Sequence, residues 1–379
     1  MTDWPIKTLS DLIAVQNGYA FDSKYFSSVG KIGLIRIRDL KNGVDTETRY
    51  DGTFSHDYIV SAGDYLIGMD GEFRCYEWKG EPALLNQRVC RLQGFSASLE
   101  SRFLFYGINK FLKDIEDVTG YTTVKHLSSK SILGIQMPVP PLEEQKRIVA
   151  LLDDATARIS ELTACYEQAR THANNLFTSA LRDALEGNPD WPVKTLGEVA
   201  VLNPSEPALS EDAPFVPMDA VTAGKRQVQY TQPRGQRSGA RARAGDILFA
   251  RITPCLQNGK VALIQDEIDR CGGSTEFIVV RAGPEVLRGF LYQWITAEHI
   301  RDHVTTLMKG ATGRQRLDAQ DLALTELPMP PLDEQQRIVA RLDQMRVKTS
   351  EMVAAYDAKL QAAKNLRQSI LEAAFAGEL

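Results

Sequence analysis

A chain of 379 residues is long enough for two or three domains, and 43% hydrophobic with 25% charged residues is the composition of an ordinary globular protein that can bury proper cores. It contains no run of 18 apolar residues, and its opening MTDWPIKTLS lacks the basic-then-apolar pattern of a secretion signal, so a cytoplasmic protein with no membrane contact is expected. Five scattered cysteines (Cys75, Cys90, Cys165, Cys255, Cys271) form no C-x-x-C pair and five scattered histidines show no ligand spacing, which argues against a disulfide framework or a metal site. The net charge of −5 does not favour a nucleic-acid partner for the chain as a whole, but residues 225–251 carry Lys225, Arg226, Arg234, Arg237, Arg241, Arg243 and Arg251 against the single acid Asp246.

In chain order, IGLIRIRDL at 32–40, DYLIGM at 64–69 and RVCRL at 88–92 read as strands, and SRFLFYGINKFLKDIE at 101–116 as a helix. A polar loop, GYTTVKHLSSKSI at 120–132, follows. Pro140 and Pro141 then open a long helix, with Glu143 and Glu144 in the first turn where the helix dipole favours carboxylates. No Gly or Pro interrupts it before Gly187, and Pro189 bars its continuation. Its five basic and eight acidic residues leave a negative surface suited to a protein partner. In the second half, GDILFARI at 245–252 and TEFIVVRA at 275–282 read as strands, a helix is expected around 288–304, and the Gly-interrupted RGQRSGARAR at 234–243 reads as a loop. A loop GATGRQRLDAQDL at 310–322 and a second long helix complete the chain.

The two halves repeat one another. WPIKTLSDL at 4–12 returns as WPVKTLGEV at 191–199, and PPLEEQKRIVALLDD at 140–154 returns 190 residues on as PPLDEQQRIVARLDQ. NNLFTSALRDALEGN at 174–188 likewise matches KNLRQSILEAAFAGE, and the loops at 120–132 and 310–322 share the same 190-residue offset. Each long helix carries apolar residues at alternating spacings of four and three. In the first they are Ile148, Leu152, Ala155, Ile159, Leu162, Tyr166, Ala169, Ala173, Leu176 and Ala180. In the second the same positions hold Ile338, Leu342, Met345, Thr349, Met352, Tyr356, Lys359, Ala363, Leu366 and Ile370. Two such stripes most simply bury each other as an antiparallel coiled coil roughly 65 Å long; the alternative is that each helix packs on its own globular domain. The expected fold is therefore α/β (α+β): two similar globular domains at 1–140 and 188–330 separated by two long antiparallel coiled-coil helices at 141–187 and 331–379, with a pseudo-two-fold internal repeat.

Catalytic signatures are missing. There is no G-x-x-x-x-G-K-[ST] loop and no glycine-rich cofactor turn after a strand, and Asn203-Pro204-Ser205 fails as an amino-methyltransferase motif. Glu77-Trp78-Lys79 has only the form of a nuclease E-x-K triplet, which is common by chance.

The pairs WPIKTL/WPVKTL and PPLEEQKRIVALLDD/PPLDEQQRIVARLDQ, with the ending SILEAAFAGEL, resemble the repeat signature of Type I restriction-modification specificity subunits (S subunits, HsdS family). The resemblance spans the chain in order: recognition domain, helix, recognition domain, helix. It implies a non-catalytic subunit in which each target-recognition domain reads one half of a bipartite site on double-stranded DNA. It further implies docking of two methyltransferase subunits, which hold S-adenosylmethionine and methylate adenine, and of two restriction subunits that use ATP and Mg. No cofactor and no metal is expected in this chain itself. The candidates for DNA contact are Arg36, Arg38, Arg74, Asn86, Gln87, Thr122, Thr123, Lys125 and His126 in the first domain. In the second they are Arg234, Arg237, Arg251, Thr275, Thr312, Arg314, Gln315 and Arg316. The rival readings are a specificity subunit of a modification-only or bifunctional restriction-methylation system, and a coiled-coil adaptor that binds proteins alone.

Overall fold

The structure is a computed structural model that describes residues 4–118, 125–186, 188–311 and 313–379. Two globular heads share one topology although little of their sequence aligns. In the first, Ala14–Asn17, Val89–Gln93, Tyr65–Gly68 and Cys75–Glu77 form an antiparallel four-stranded sheet in that order. In the second, Ala200–Leu202, Phe277–Ala282, Ile247–Ala250 and Val261–Leu263 do the same. Each head has a second sheet built around a parallel pair, Ile32–Ile35 with Ala83–Leu85 and Pro214–Val216 with Arg270–Gly273. The first and last strands of each head pair antiparallel, Ile6–Thr8 with Gln136–Pro138 and Val193–Thr195 with Glu326–Pro328. That closure delivers the chain to the prolines that start each long helix. GDYLIGM at 63–69 and GDILFAR at 245–251 hold the equivalent strand of the two four-stranded sheets, each entered through a glycine at left-handed φ (Gly63 at 94°, Gly245 at 82°) that a side chain would strain.

Three expected elements differ. The run 32–40 is strand only to Ile35; Ile37–Leu40 is a helical turn, because the buried Asp39 carboxylate accepts the Arg36 N–H (2.9 Å) and bends the chain. The expected helix at 288–304 is two, Arg288–Ile295 and Glu298–Thr306. They divide where Thr296 Oγ1 donates back to the Tyr292 carbonyl (2.8 Å) and Ala297 turns extended. The arginine-rich run 234–243 is not all loop, since Ala240–Arg243 forms a strand against Arg270–Gly273.

The long helices run Leu142–Glu186 and Leu332–Ala376. Each is fastened to its head by a glutamine that is 0% exposed. Gln145 Nε2 donates to the carbonyls of Pro140 (2.8 Å) and Ser98 (3.0 Å), and its Oε1 accepts the Glu100 N–H (2.8 Å). Gln335 repeats this with Pro330 (2.9 Å), Glu285 (3.0 Å) and the Leu287 N–H (2.8 Å). Two turns further along, Asp153 accepts from Arg102 Nε (2.7 Å) and the Tyr106 hydroxyl, and Asp343 from Arg226 Nη1 (2.7 Å) and Gln293 Nε2 (3.0 Å).

The chain divides into two compact units, Met1–Cys165 with Leu360–Leu379, and Tyr166–Lys359. Each therefore holds one head, the start of the helix that follows it and the end of the other helix. Within the first unit, Ile148 and Leu152 share a core with Ile370, Leu371, Ala374 and Phe375, and Arg147 donates to the Leu379 carbonyl. Within the second, the rings of Tyr166 and Tyr356 lie 6.3 Å apart, Arg170 pairs with Asp357 at 2.9 Å, and the Arg346 guanidinium lies 4.5 Å above the Phe177 ring. In each unit residue numbers rise on one helix as they fall on its neighbour, so the pairing is antiparallel.

The expected seam needs correction at four positions. Leu162, Leu176, Met352 and Leu366 are exposed. The buried stripe keeps the seven-residue repeat through Leu152, Ile159, Tyr166 and Ala173, but its second row lies one residue beyond the expected one, at Val149, Thr156, Thr163, Arg170 and Phe177. Thr163, Phe177 and Val353 are the partly buried residues beside the exposed Leu162, Leu176 and Met352. Ile148 and Leu152, with Ile338 and Leu342, are also sunk in the cores of their own heads, so both packing modes considered for the helices operate.

The helix ends meet unlike sockets. Phe375 packs at a tilt against Phe103 (4.9 Å between centroids) and over Gly107, where a Cβ would come within 2.4 Å of its ring. Counted from the two glutamine anchors, the second head's equivalent of Gly107 is the fully buried Trp294, in a core that contains Leu185 in place of Phe375. Gly107→Ala is expected to destabilise the protein by roughly 1–3 kcal/mol through overpacking. Combined with Phe375→Leu it should cost less than the sum of the two single changes, read by denaturant unfolding as a double-mutant cycle; strictly additive losses would show that the ring does not sit on Gly107.

Candidate nucleic-acid interface

Strand register gathers the loops of each head at one end. In the first head Asn17 lies opposite Cys90, Gly68 opposite Val89, and Ile35 beside Leu85. The Tyr19 N–H donates to the Leu85 carbonyl (3.0 Å) and the Gln87 N–H to the Tyr19 carbonyl (2.8 Å), which stitches the two sheets together at that end. Arg36, Asn86–Arg88, the hairpin carrying Asp70 and Arg74, and the segment at Lys125–His126 all emerge there. Asp70 bridges antiparallel to His126. The second head repeats the scheme: Ala250 lies opposite Phe277, Ile252 bridges to Arg316, and the Thr253 N–H donates to the Gln315 carbonyl (3.0 Å).

Backbone hydrogen bonds make the equivalences specific. The Met69 N–H donates to Arg88 O and the Leu127 N–H to Met69 O; correspondingly the Arg251 N–H donates to Glu276 O and the Leu317 N–H to Arg251 O. Asn86-Gln87-Arg88 thus answers Ser274-Thr275-Glu276, and His126 answers Arg316. The structure brings together Gln87 with His126 in one head, and Thr275 with Arg251 and Gln315–Arg316 in the other. Gln87, Thr275 and Arg314 are exposed. Thr122, Thr123 and Thr312 lie outside the described residues.

Several candidates are placed otherwise. Asn86 is buried, so its amide is not offered to a ligand. Lys125 is turned inward, its Nζ donating to the Glu116 carbonyl at 2.7 Å. Arg38 is held on its turn by Thr48 Oγ1 (3.2 Å). Arg234 and Arg237 belong to the opposite end of their sheet, because Pro233 pairs with Pro214 at the strand's start; there Arg237 donates to the Pro233 carbonyl (2.8 Å) and covers the Phe215 ring.

Residue-level reading of the sequence missed Arg88, which reaches Asp70 Oδ2 at 3.5 Å while His126 Nδ1 lies 2.8 Å from Asp70 Oδ1. It also missed Glu276, whose carboxylate takes Arg316 Nε and Nη2 side-on (2.7–3.1 Å). Arg251 pairs more loosely with Asp318, at 3.5 Å. Among the described residues no three His, Cys, Asp or Glu side chains are placed to hold a metal ion, and no helix is long and apolar enough to cross a membrane.

The family model described as Type I restriction modification DNA specificity domain matches residues 1–168 and again 188–361. The chain belongs to that family. As a specificity subunit it supplies the DNA sequence specificity of a Type I restriction-modification system and is a non-catalytic part of it. This specificity subunit is 27% identical to the Type I restriction enzyme EcoBI specificity subunit of Escherichia coli, over 99% of this chain and 86% of the relative. It is 22% identical to the Type I restriction enzyme MjaVIII specificity subunit of Methanocaldococcus jannaschii, over 90% and 85%. Its fold is similar to that of a chain solved in a study of complex assembly and conformational transition of the type I R-M system, with a TM-score of 0.74 at 21% identity over 99% and 98% of the two chains. The HsdS subunit from Thermoanaerobacter tengcongensis has a TM-score of 0.55 at 20% identity, over 99% and 97%.

The Arg316 guanidinium hydrogen-bonded to Glu276 holds that carboxyl below its ordinary value of 4.5. Since the folded carboxyl binds its proton less tightly than the unfolded one, the pair's contribution is complete above the ordinary value and fades as pH falls through the lower folded one. The Glu276 carboxyl should therefore titrate below 4.5 in an NMR pH titration, and Arg316→Ala should return it toward that value.

Proposed function

We propose that the two heads of this specificity subunit read the two halves of a bipartite site on double-stranded DNA, each through the loop-bearing end of its sheets. The observation that carries the reading is that one backbone scheme recurs in both heads while the side chains it presents differ: Gln87, Arg88 and His126 in one, Thr275, Glu276 and Arg316 in the other. Two identical readers would specify one repeated half-site; two unlike readers on one frame specify an asymmetric pair. Base edges in the major groove are distinguished by donors and acceptors at set positions, which is what exposed amide, hydroxyl, imidazole and guanidinium groups supply. Arg36, Arg74 and Arg314 are proposed to make phosphate contacts that position the duplex.

The partners proposed are two methyltransferase subunits, docked along the long helices and holding S-adenosylmethionine, and two restriction subunits using ATP and Mg, with the assembly in the cytoplasm. The chemistry would lie in those partners. The methyltransferases would act on adenines flipped from the stack, a step that a protein enclosing the duplex assists. The unspecified spacer between half-sites is proposed to follow the length of the long helices.

Methylome sequencing of cells carrying this chain with its methyltransferase tests the proposal. The expected result is a two-part motif with modified adenines on opposite strands; an uninterrupted motif would contradict it. Inserting four residues in phase in both helices adds about 6 Å, or roughly two base pairs of spacer. An unchanged spacer would refute the role of helix length.

A further inference from the structure

We propose that each head reads a guanine through one arginine steadied by a carboxylate, Arg88 with Asp70 in the first head and Arg316 with Glu276 in the second. The inference rests on the DNA-reading role of the loop-bearing ends. Positions 88 and 276 are equivalent, as are 126 and 316 and also 70 and 252. The first head places its arginine at the strand start and its acid on the hairpin; the second places its acid at the strand start and its arginine on the facing segment. Both arrangements present one guanidinium over the same junction, approached from opposite sides.

The remaining donors decide what such a group can bind. Glu276 takes Arg316 Nε and Nη2 side-on, which leaves the end of the fork, one N–H on each terminal nitrogen, directed away from the carboxylate. Asp70 Oδ2 lies 3.5 Å from Nη1 of Arg88, an ion pair looser than a hydrogen bond, and its other oxygen is taken by His126, so the Nε–Nη2 edge of Arg88 faces away from this contact. Two parallel N–H donors in a plane match O6 and N7 of guanine; the side-on pairing with Glu276 fixes the plane of Arg316 and removes rotamer freedom the contact would otherwise cost, while the Asp70 charge draws Arg88 toward the same end of its head.

Folding stability does not account for the pairs. Arg88 and Arg316 side chains are 58% and 48% exposed, and exposed ion pairs stabilise by about 1 kcal/mol or less. Arg88 also holds a left-handed backbone, φ 74°, a conformation that disfavours a residue with a Cβ and collects at functional positions.

The test is selection of bound duplexes from a randomised library by the full-length chain. Wild type should return a two-part motif with a guanine in each half. Arg88→Ala and Arg88→Lys should each lower the preference for that guanine at one position of one half by roughly ten-fold or more, leaving the other half intact. Arg316→Ala and Arg316→Lys should do the same in the other half. The Lys variants keep the charge but lose the fork, so a phosphate contact would survive in them. Asp70→Asn and Glu276→Gln should weaken the same positions as their arginines. Uniform weakening on all sequences, rescue by Lys, or an unchanged motif in the variants overturns the guanine assignment while the DNA-reading role stands; failure of wild type to select any motif overturns both.

Discussion

A buried primary amide at the start of each long helix is the interaction on which the rest depends. Gln145 and Gln335 each satisfy three backbone groups, two carbonyls and one N–H, drawn from the helix entry and from the head. Only an amide can donate twice and accept once at that place; the adjacent glutamates, as carboxylates, could only accept. Losing it would strand three polar groups in a dry core, which is far costlier than the bonds themselves are stabilising. Asp153 and Asp343, eight residues on, add a second point of attachment about 12 Å along the same helix. Two fixed points and the apolar residues between them set the orientation of a head on its helix; the glutamine uses the same backbone scheme in both units, while the aspartate takes different donors, Arg102 and Tyr106 in one and Arg226 and Gln293 in the other.

With that frame constant, the heads are free to differ where they do not touch the helix. Their four-stranded sheets keep order and register while the loop-bearing ends carry different charges, with Arg88 in one head answered by Glu276 in the other. The ends of the helices differ too. A ring on a glycine in one unit answers a leucine near a tryptophan in the other, so each helix end is shaped for its own socket. A duplicated scaffold thus carries two non-interchangeable readers, which is the requirement for recognising an asymmetric site.

The duplication, the long helices and their limits were legible in the sequence because they rest on local signals: Pro-Pro and two glutamates at the start, an unbroken stretch, then glycine and proline. Four seam positions were misplaced because they belong to the row of the heptad that in fact runs one residue on, and nothing in the spacing alone tells Leu162 from Thr163. The common topology of the heads was hidden, since between the opening WPIKTL/WPVKTL strands and the closing loops only GDYLIGM and GDILFAR align, while strands of two to six residues can keep register without sharing side chains. Within the candidate interface, Gln87 and Thr275 were chosen for their chemistry and proved equivalent in space, as did His126 and Arg316 of the segments at the 190-residue offset. Arg88 and Glu276 were missed because each gains its role from a partner 18 and 40 residues away, Asp70 and Arg316, in a pairing that only tertiary structure creates. The glutamine anchors could have been found: they stand in the most closely repeated motif, flanked by glutamates that the helix dipole already explains.

Hydrogen exchange of the Glu100 and Leu287 amides, in wild type and in Gln145→Leu, tests the anchoring most directly. Both N–H groups donate to the anchoring amides and should be strongly protected in wild type. In the variant, Glu100 and the first turns of the first long helix should lose protection by an order of magnitude or more, while Leu287 keeps its own. Undiminished protection at Glu100 would contradict the claim that the buried glutamine holds the head to its helix.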